Sequence, residues 1–130
     1  MTRQVHHGRV VYHGSARGTA LCCAEPLSFY GGFDLSTGVV TEREHPLCGQ
    51  SVSGRVLVFP TGKGSTVGSY ALLRLAKEGA APAGLVMATC DTTVAVGAII
   101  AEIPCIDLVD IGAFTTGDRI VIDGERVWTE

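Results

Sequence analysis

The residues best placed to do chemistry lie in the run Pro60-Thr61-Gly62-Lys63-Gly64-Ser65-Thr66, which joins an apolar segment to an amphipathic one. Two glycines let the backbone turn sharply and come close to a ligand. The amides that open a helix are unpaired and favour an oxyanion. Ser65 in that field reads in two ways: as a general base, or as a side-chain cap of the helix, as Ser65 or Thr66 would be in the commoner case. A phosphate-cradling P-loop does not fit, because that motif needs Ser or Thr directly after Gly-Lys, and Gly64 stands between. A helix terminus contributes up to about 2 kcal/mol, and at about 1.4 kcal/mol per unit it moves a pKa by little more than one. A serine hydroxyl needs more help than that to act as a base near neutral pH. Further donors or cations must come from a substrate or a partner. Lys63 is one available cation, although a loop lysine is more commonly just solvated.

The remaining reactive side chains read as structural. Cys22, Cys23, Cys48, Cys90 and Cys105 are odd in number, two are adjacent, and none forms a C-x-x-C pair. That excludes a disulfide framework or a zinc site as the expectation. A cluster held by this chain alone would need three or four convergent thiolates, which the spacing does not offer. Reduced, structural cysteines are expected. His45, next to Pro46, reads as a hydrogen-bonding group, and His6, His7 and His13 as solvated. Asp91 is a helix-cap candidate. Phe29 and Tyr30 are expected in the core, and Gly31, Gly32 and Gly38 in turns.

The elements that must position the 60–66 run follow from patterning. Residues 55–59 (RVLVF) are apolar on consecutive positions, as a strand covered on both faces should be. A helix is expected over 65–78, with Leu72, Leu73, Leu75 and Ala76 as its buried stripe and Gly79 as its C-terminal cap. Residues 84–88 form a second buried strand, Thr92–Ala101 a short apolar helix, and 103–109 a third strand. Strands are also expected at Arg9–Tyr12, 19–23 and 36–41. Arg119–Asp123 and Arg126–Thr129 form a hairpin signalled by Asp123-Gly124. The order is β-rich ends around a β-α-β-α-β centre with right-handed crossovers.

With 130 residues the chain is expected to be one domain, residues 1–130. Hydrophobic residues at 46% and charged residues at 18% supply a packed core. A net charge of −3 gives no basic face for nucleic acid or an anionic membrane. Apolar runs such as 93–101 fall short of the roughly 20 residues that span a bilayer. Residues 1–8 are polar and basic without an apolar stretch, so no signal peptide is read and the expected address is the cytoplasm.

A series of motifs resembles the swivel domain of the aconitase X family. They are Pro26-Leu-Ser-Phe-Tyr-Gly-Gly32, Asp34 with Thr37-Gly38, His45-Pro46-Leu47 with Gly49, Gly62-Lys-Gly-Ser-Thr66, Gly68-Ser69, Gly79 with Ala81-Pro82-Ala83, and Val96-Gly-Ala-Ile-Ile100. They run in order across residues 26–104. The resemblance implies an α/β fold, the β/β/α swivelling domain of the aconitase superfamily, a barrel-like sheet with outer helices. It implies a hydro-lyase that dehydrates a small hydroxy acid, with an iron–sulfur cluster held by a larger partner subunit and none bound by this chain alone. Ser65 matches the family's proton-abstracting base, and Lys63, Gly64 and Thr66 would bind substrate beside it. Family members often carry arginine where this chain has Lys63, and a lysine keeps the charge without the two-pronged geometry.

Two branches of the family imply two substrates, (R)-5-phosphomevalonate and cis-3-hydroxy-L-proline. Residues 65–70 and 98–104 resemble the stand-alone phosphomevalonate type. Two lysines against eight arginines, and five cysteines, suit a bacterium and thereby the proline branch. The expectation adopted is (R)-5-phosphomevalonate dehydrated to trans-anhydromevalonate 5-phosphate in the mevalonate route to isoprenoids. A module of the same fold that only binds is the rival from another class.

Overall fold

The computed structural model describes residues 4–130, so the first three residues of the polar N-terminal stretch lie outside the described part. The strands are β1 (Val5–His7), β2 (Arg9–Tyr12), β3 (Ser15–Cys22), β4 (Val56–Phe59), β5 (Gly84–Met87), β6 (Cys105–Asp107), β7 (Arg119–Asp123) and β8 (Arg126–Thr129). The helices are α1 (Gly68–Lys77) and α2 (Thr92–Ala101). β3, β4, β5 and β6 are parallel neighbours. Every residue of β4 is buried, with Val56 and Val58 in one apolar cluster and Leu57 and Phe59 in another. β5 divides likewise, Val86 to the first cluster and Leu85 and Met87 to the second. The second cluster also takes Leu72 and Leu75 of α1 and Val94 and Ala98 of α2, so the helices cover the outer face of the parallel strands. The first is closed by Ile120, Ile122 and Val127 from the antiparallel strands. The continuous apolar run of 55–59 is the sequence trace of this double cover.

Sheet order is β1-β8-β7-β3-β4-β5-β6-β2. Its two edge strands, β1 and β2, follow one another in sequence with Gly8 alone between them. The sheet therefore curls until its edges almost meet, the barrel-like form expected, and leaves little edge open to other chains.

Three local expectations are corrected. Residues 36–41 form no strand. Asp34 Oδ1 accepts from the Ser36 N–H at 3.0 Å and the Ser36 hydroxyl at 2.8 Å, and the Asp34 carbonyl accepts from Gly38, so a turn wins over extension. Only isolated bridges remain there, Phe33 to Val40 and Val39 to Ser51. The strand expected at 19–23 begins earlier, at Ser15, because β7 pairs along it from Ser15 to Thr19. The hairpin stands with the expected bounds: Asp123 faces Arg126, the loop is Gly124-Glu125, and Gly124 takes φ +60° at its first position. Helix α1 starts at Gly68 rather than 65, after a turn in which Gly68 N–H reaches the Ser65 carbonyl.

One buried charge closes the sheet. Asp107 on β6 is 0% exposed, and Arg9 on β2 donates to both its oxygens at 2.9 and 2.7 Å. The Cys90 N–H adds a third bond at 2.8 Å. Burial pushes the Asp107 carboxyl up, but the Arg9 hydrogen bonds, the Cys90 N–H and the Arg9 charge outweigh it and hold it below the ordinary range. A depressed carboxyl contributes stability that is complete above the unfolded pKa of about 3.9 and is lost as pH falls through the folded value. Arg9→Gln is thus expected to melt below wild type at pH 7, with the gap closing toward pH 3. A gap of constant size in melts across that range would show that the ion pair is not its cause.

Candidate active-site loop at the carboxyl edge of the parallel strands

Parallel strands end at the same side of a sheet, and in open α/β sheets ligands bind at that carboxyl edge. The loops after β3, β4, β5 and β6 are tied together there: Cys23 N–H to the Val58 carbonyl, Thr89 to Pro60 and Leu108 to Ala88, each at 3.0 Å. The Thr61–Ser65 stretch rises from this edge.

Two clamps fix it. On one side Gly62 N–H donates to Asp91 Oδ1 at 2.8 Å, while Asp91 Oδ2 caps α2 through the Val94 N–H at 3.3 Å. A Cβ at position 62 would stand 2.6 Å from both Asp91 Oδ1 and a Val94 methyl, so only glycine allows this approach. On the other side Lys63 N–H donates to the Leu27 carbonyl at 2.9 Å, and Leu27 N–H to that of Thr61 at 3.2 Å. Gly64 turns at φ +96° with Ser28 beneath it, a conformation in which a side chain is strained. Ser28 is held in turn by its bond to the Tyr30 carbonyl at 2.9 Å.

Ser65 stands exposed at the tip. Its Oγ accepts from the Val67 N–H at 3.2 Å, a short side-chain turn. It is not the helix cap: that position is Val67, with no side-chain cap bond, so neither Ser65 nor Thr66 caps α1. No described carboxylate, imidazole or ammonium bonds to Ser65 Oγ, and the N–H groups of Gly64, Ser65 and Thr66 pair with no described group of the chain. The tip therefore offers unpaired donors and a hydroxyl, and nothing on its own chain to remove the hydroxyl proton. Lys63 Nζ does not point to Ser65; it pairs with Glu42 Oε1 at 2.6 Å. The other Glu42 oxygen is buried without a partner.

The other expected residues sort clearly. Asp91 is the cap foreseen for α2. His45 is buried and bonded at both ring nitrogens, Nδ1 accepting from Leu47 N–H at 3.0 Å and Nε2 facing the Pro26 carbonyl at 3.1 Å, so it is structural. Phe29 is in the core, stacked on Phe33, whereas Tyr30 is exposed, against expectation, because the Ser28–Tyr30 turn points it outward. His6 is not simply solvated but packs on Phe114 at 5.1 Å. Cys105 is buried and Cys48 exposed, and all five cysteines are free. Burial pushes the Cys23 thiol up to about 11, and the neighbouring Cys90 thiol together with burial pushes Cys105 up as well. Among the described residues no three His, Cys, Asp or Glu side chains converge as metal ligands.

Sequence reasoning missed Glu42, held Ser28 only as a motif residue, and saw only half of the work of Asp91. Glu42 and Lys63 are 21 positions apart with no shared pattern, so nothing local pairs them. Ser69 was seen only as a motif residue. It is buried, and its hydroxyl donates to the Thr93 carbonyl at 2.6 Å, pinning α1 to α2 beside the loop. Ser69→Ala is expected to cost about 0.5–1.5 kcal/mol by removing this buried bond between the helices, read as a lower melting temperature. An unchanged melt would mean that water replaces the bond.

The aconitase X swivel domain model matches residues 5–129. The phosphomevalonate dehydratase small subunit of Thermococcus kodakarensis is 45% identical over 118 residues, 91% of this chain and 89% of the relative. That of Archaeoglobus fulgidus is 46% identical over 125 residues, 94% of each. The crystal structure of Thermococcus kodakaraensis aconitase X in its holo-form superposes with a TM-score of 0.96 at 42% identity, covering 98% of both chains. A loop of this build on this fold, matched from end to end, identifies the chain as a member of the aconitase X swivel-domain family.

Proposed function

We propose that this chain is the small subunit of a cytoplasmic, aconitase-like hydro-lyase that converts (R)-5-phosphomevalonate to trans-anhydromevalonate 5-phosphate and works only with a large subunit. The observation that carries the reading is a half-built site: Ser65 projects from a rigid loop among unpaired N–H groups, with no acid–base partner of its own. Such a hydroxyl needs a second surface to supply the rest. Relatives covering most of the chain are named phosphomevalonate dehydratase small subunit, which favours the phosphorylated substrate over cis-3-hydroxy-L-proline.

Dehydration removes a proton from one carbon and hydroxide from its neighbour, and the C–H electron pair becomes the double bond. The part assigned here is the proton, taken onto Ser65 Oγ in its alkoxide form, whose own proton passes first to a base supplied by the large subunit, while hydroxide leaves with the C–O electron pair. The N–H groups of Gly64 and Thr66 face the anionic substrate and stabilise the charge that develops, and the ammonium of Lys63 holds a charged group of the bound substrate. The iron–sulfur cluster is assigned to the large subunit, and no step is drawn through this chain for it. No helix of the described residues is long and apolar enough to cross a membrane.

The test is anaerobic co-purification with the large subunit and assay on both candidate acids. The complex is expected to dehydrate phosphomevalonate, and the isolated chain neither acid. Turnover of cis-3-hydroxy-L-proline alone would move the enzyme to the other branch. An intact complex active on neither would leave a binding module.

A further inference from the structure

Helix α2 reads TTVAVGAIIA, with no charged residue and nothing polar after its second position. A helix that is apolar all round is ordinarily enclosed on all sides. This one is enclosed on one. Its inner face, with Val94, Gly97 and Ala98, packs on α1, where Gly97 meets Leu72 so closely that a Cβ would lie 2.5 Å from it. Its outer face carries Val96 (43% exposed), Ile99 (50%) and Ile100 (38%) at the i, i+3, i+4 spacing of a single stripe. Tyr70 of α1 (69%) and Val67 (47%) continue the stripe. Between them runs an apolar groove of about 310 Å³ with Thr66 and Thr93 on its rim.

We infer that this groove is the docking surface of the large subunit, and that its burial is what places Ser65 against the substrate. The inference rests on the proposed function and deepens it by naming the interface. The groove is continuous with the site, since Thr66, next to Ser65, lines it. The bare side chains amount to a few hundred Å², a sizeable share of the ~800 Å² that one partner gives to a standard interface. They supply an apolar centre, and the polar 61–66 loop supplies a rim, the usual anatomy of an interface. A second copy of this chain fits worse: a two-fold contact through this patch would press two Ser65 loops together and shut substrate out of both.

The experiment measures binding of the chain to its own purified large subunit by calorimetry, for wild type, Ile99→Glu, Tyr70→Glu and Ser65→Ala. Both patch positions are solvent-facing, so melting temperatures near wild type are expected for all. Ile99→Glu and Tyr70→Glu should each weaken binding by roughly 30-fold or more, the scale of a hot-spot loss, with Ser65→Ala within a few-fold. Wild-type affinity in both glutamate variants overturns the docking surface even if the complex dehydrates its substrate. A wild-type chain that is dimeric alone, and monomeric as Ile99→Glu, also overturns it, in favour of a second copy. Loss of binding in the glutamate variants, with a wild-type complex inactive on every acid tried, keeps the interface and rejects the enzyme reading alone.

Discussion

Ser65→Ala in the assembled enzyme is expected to lower kcat at least ~100-fold, the lower end of a general base's contribution, with little change in melting temperature. The structure separates the two roles that the sequence leaves open. A lost helix cap costs about 0.5–2 kcal/mol, and it would confound a kinetic reading by destabilising α1. But α1 is capped at Val67 without a side chain, and the bond that Ser65 Oγ makes is to the Val67 N–H, on an exposed turn that water can replace. Loss of chemistry should therefore come without loss of fold. KM should stay within a few-fold, because the proton is transferred after the substrate is bound. A Ser65→Ala complex that turns over within a few-fold of wild type would remove the serine from the reaction. A variant that melts several degrees lower would show that its turn matters to the fold.

The centre of the fold was readable because burial on both faces leaves a continuous apolar run, and β4 and β5 carry that signal within a few residues each. The errors lie where hydrogen bonds of single side chains decide the backbone. Asp34 turns 34–38 out of the strand that Val39 and Val40 suggest. The start of α1 slipped because Ser65 and Thr66 have the types of a cap, and cap geometry is not a matter of type. In the site, the motif residues are contiguous in sequence and so could be named. Their supports, Glu42, Ser28 and Asp91, come from three other segments and meet only when the carboxyl edge is assembled. The bare face of α2 has its trace in the uncharged run of 92–101, which the sequence marks as an apolar helix without saying which of its faces is covered.

Lys63→Ala is expected to raise KM for a phosphorylated substrate by roughly 10- to 100-fold, the equivalent of the ~1.5–3 kcal/mol of a charge-assisted hydrogen bond, with kcat reduced far less than in Ser65→Ala. The side chain is 46% exposed and its ammonium is already held by Glu42 at 2.6 Å, so it stands at a fixed place near the tip rather than sweeping solvent. Its three donors are not spent on one carboxylate oxygen, and the same ammonium can meet an anion arriving from the open side. Because the contact is made to bound substrate and transition state alike, its removal should act on KM. Lys63→Arg tests geometry against charge: a point contact tolerates the longer, planar group and keeps KM within a few-fold, whereas a site shaped around the ammonium does not. Raised salt should narrow the gap between wild type and Lys63→Ala, since a partly exposed charge is screened. A KM for Lys63→Ala within two-fold of wild type would leave this lysine as no more than the partner of Glu42.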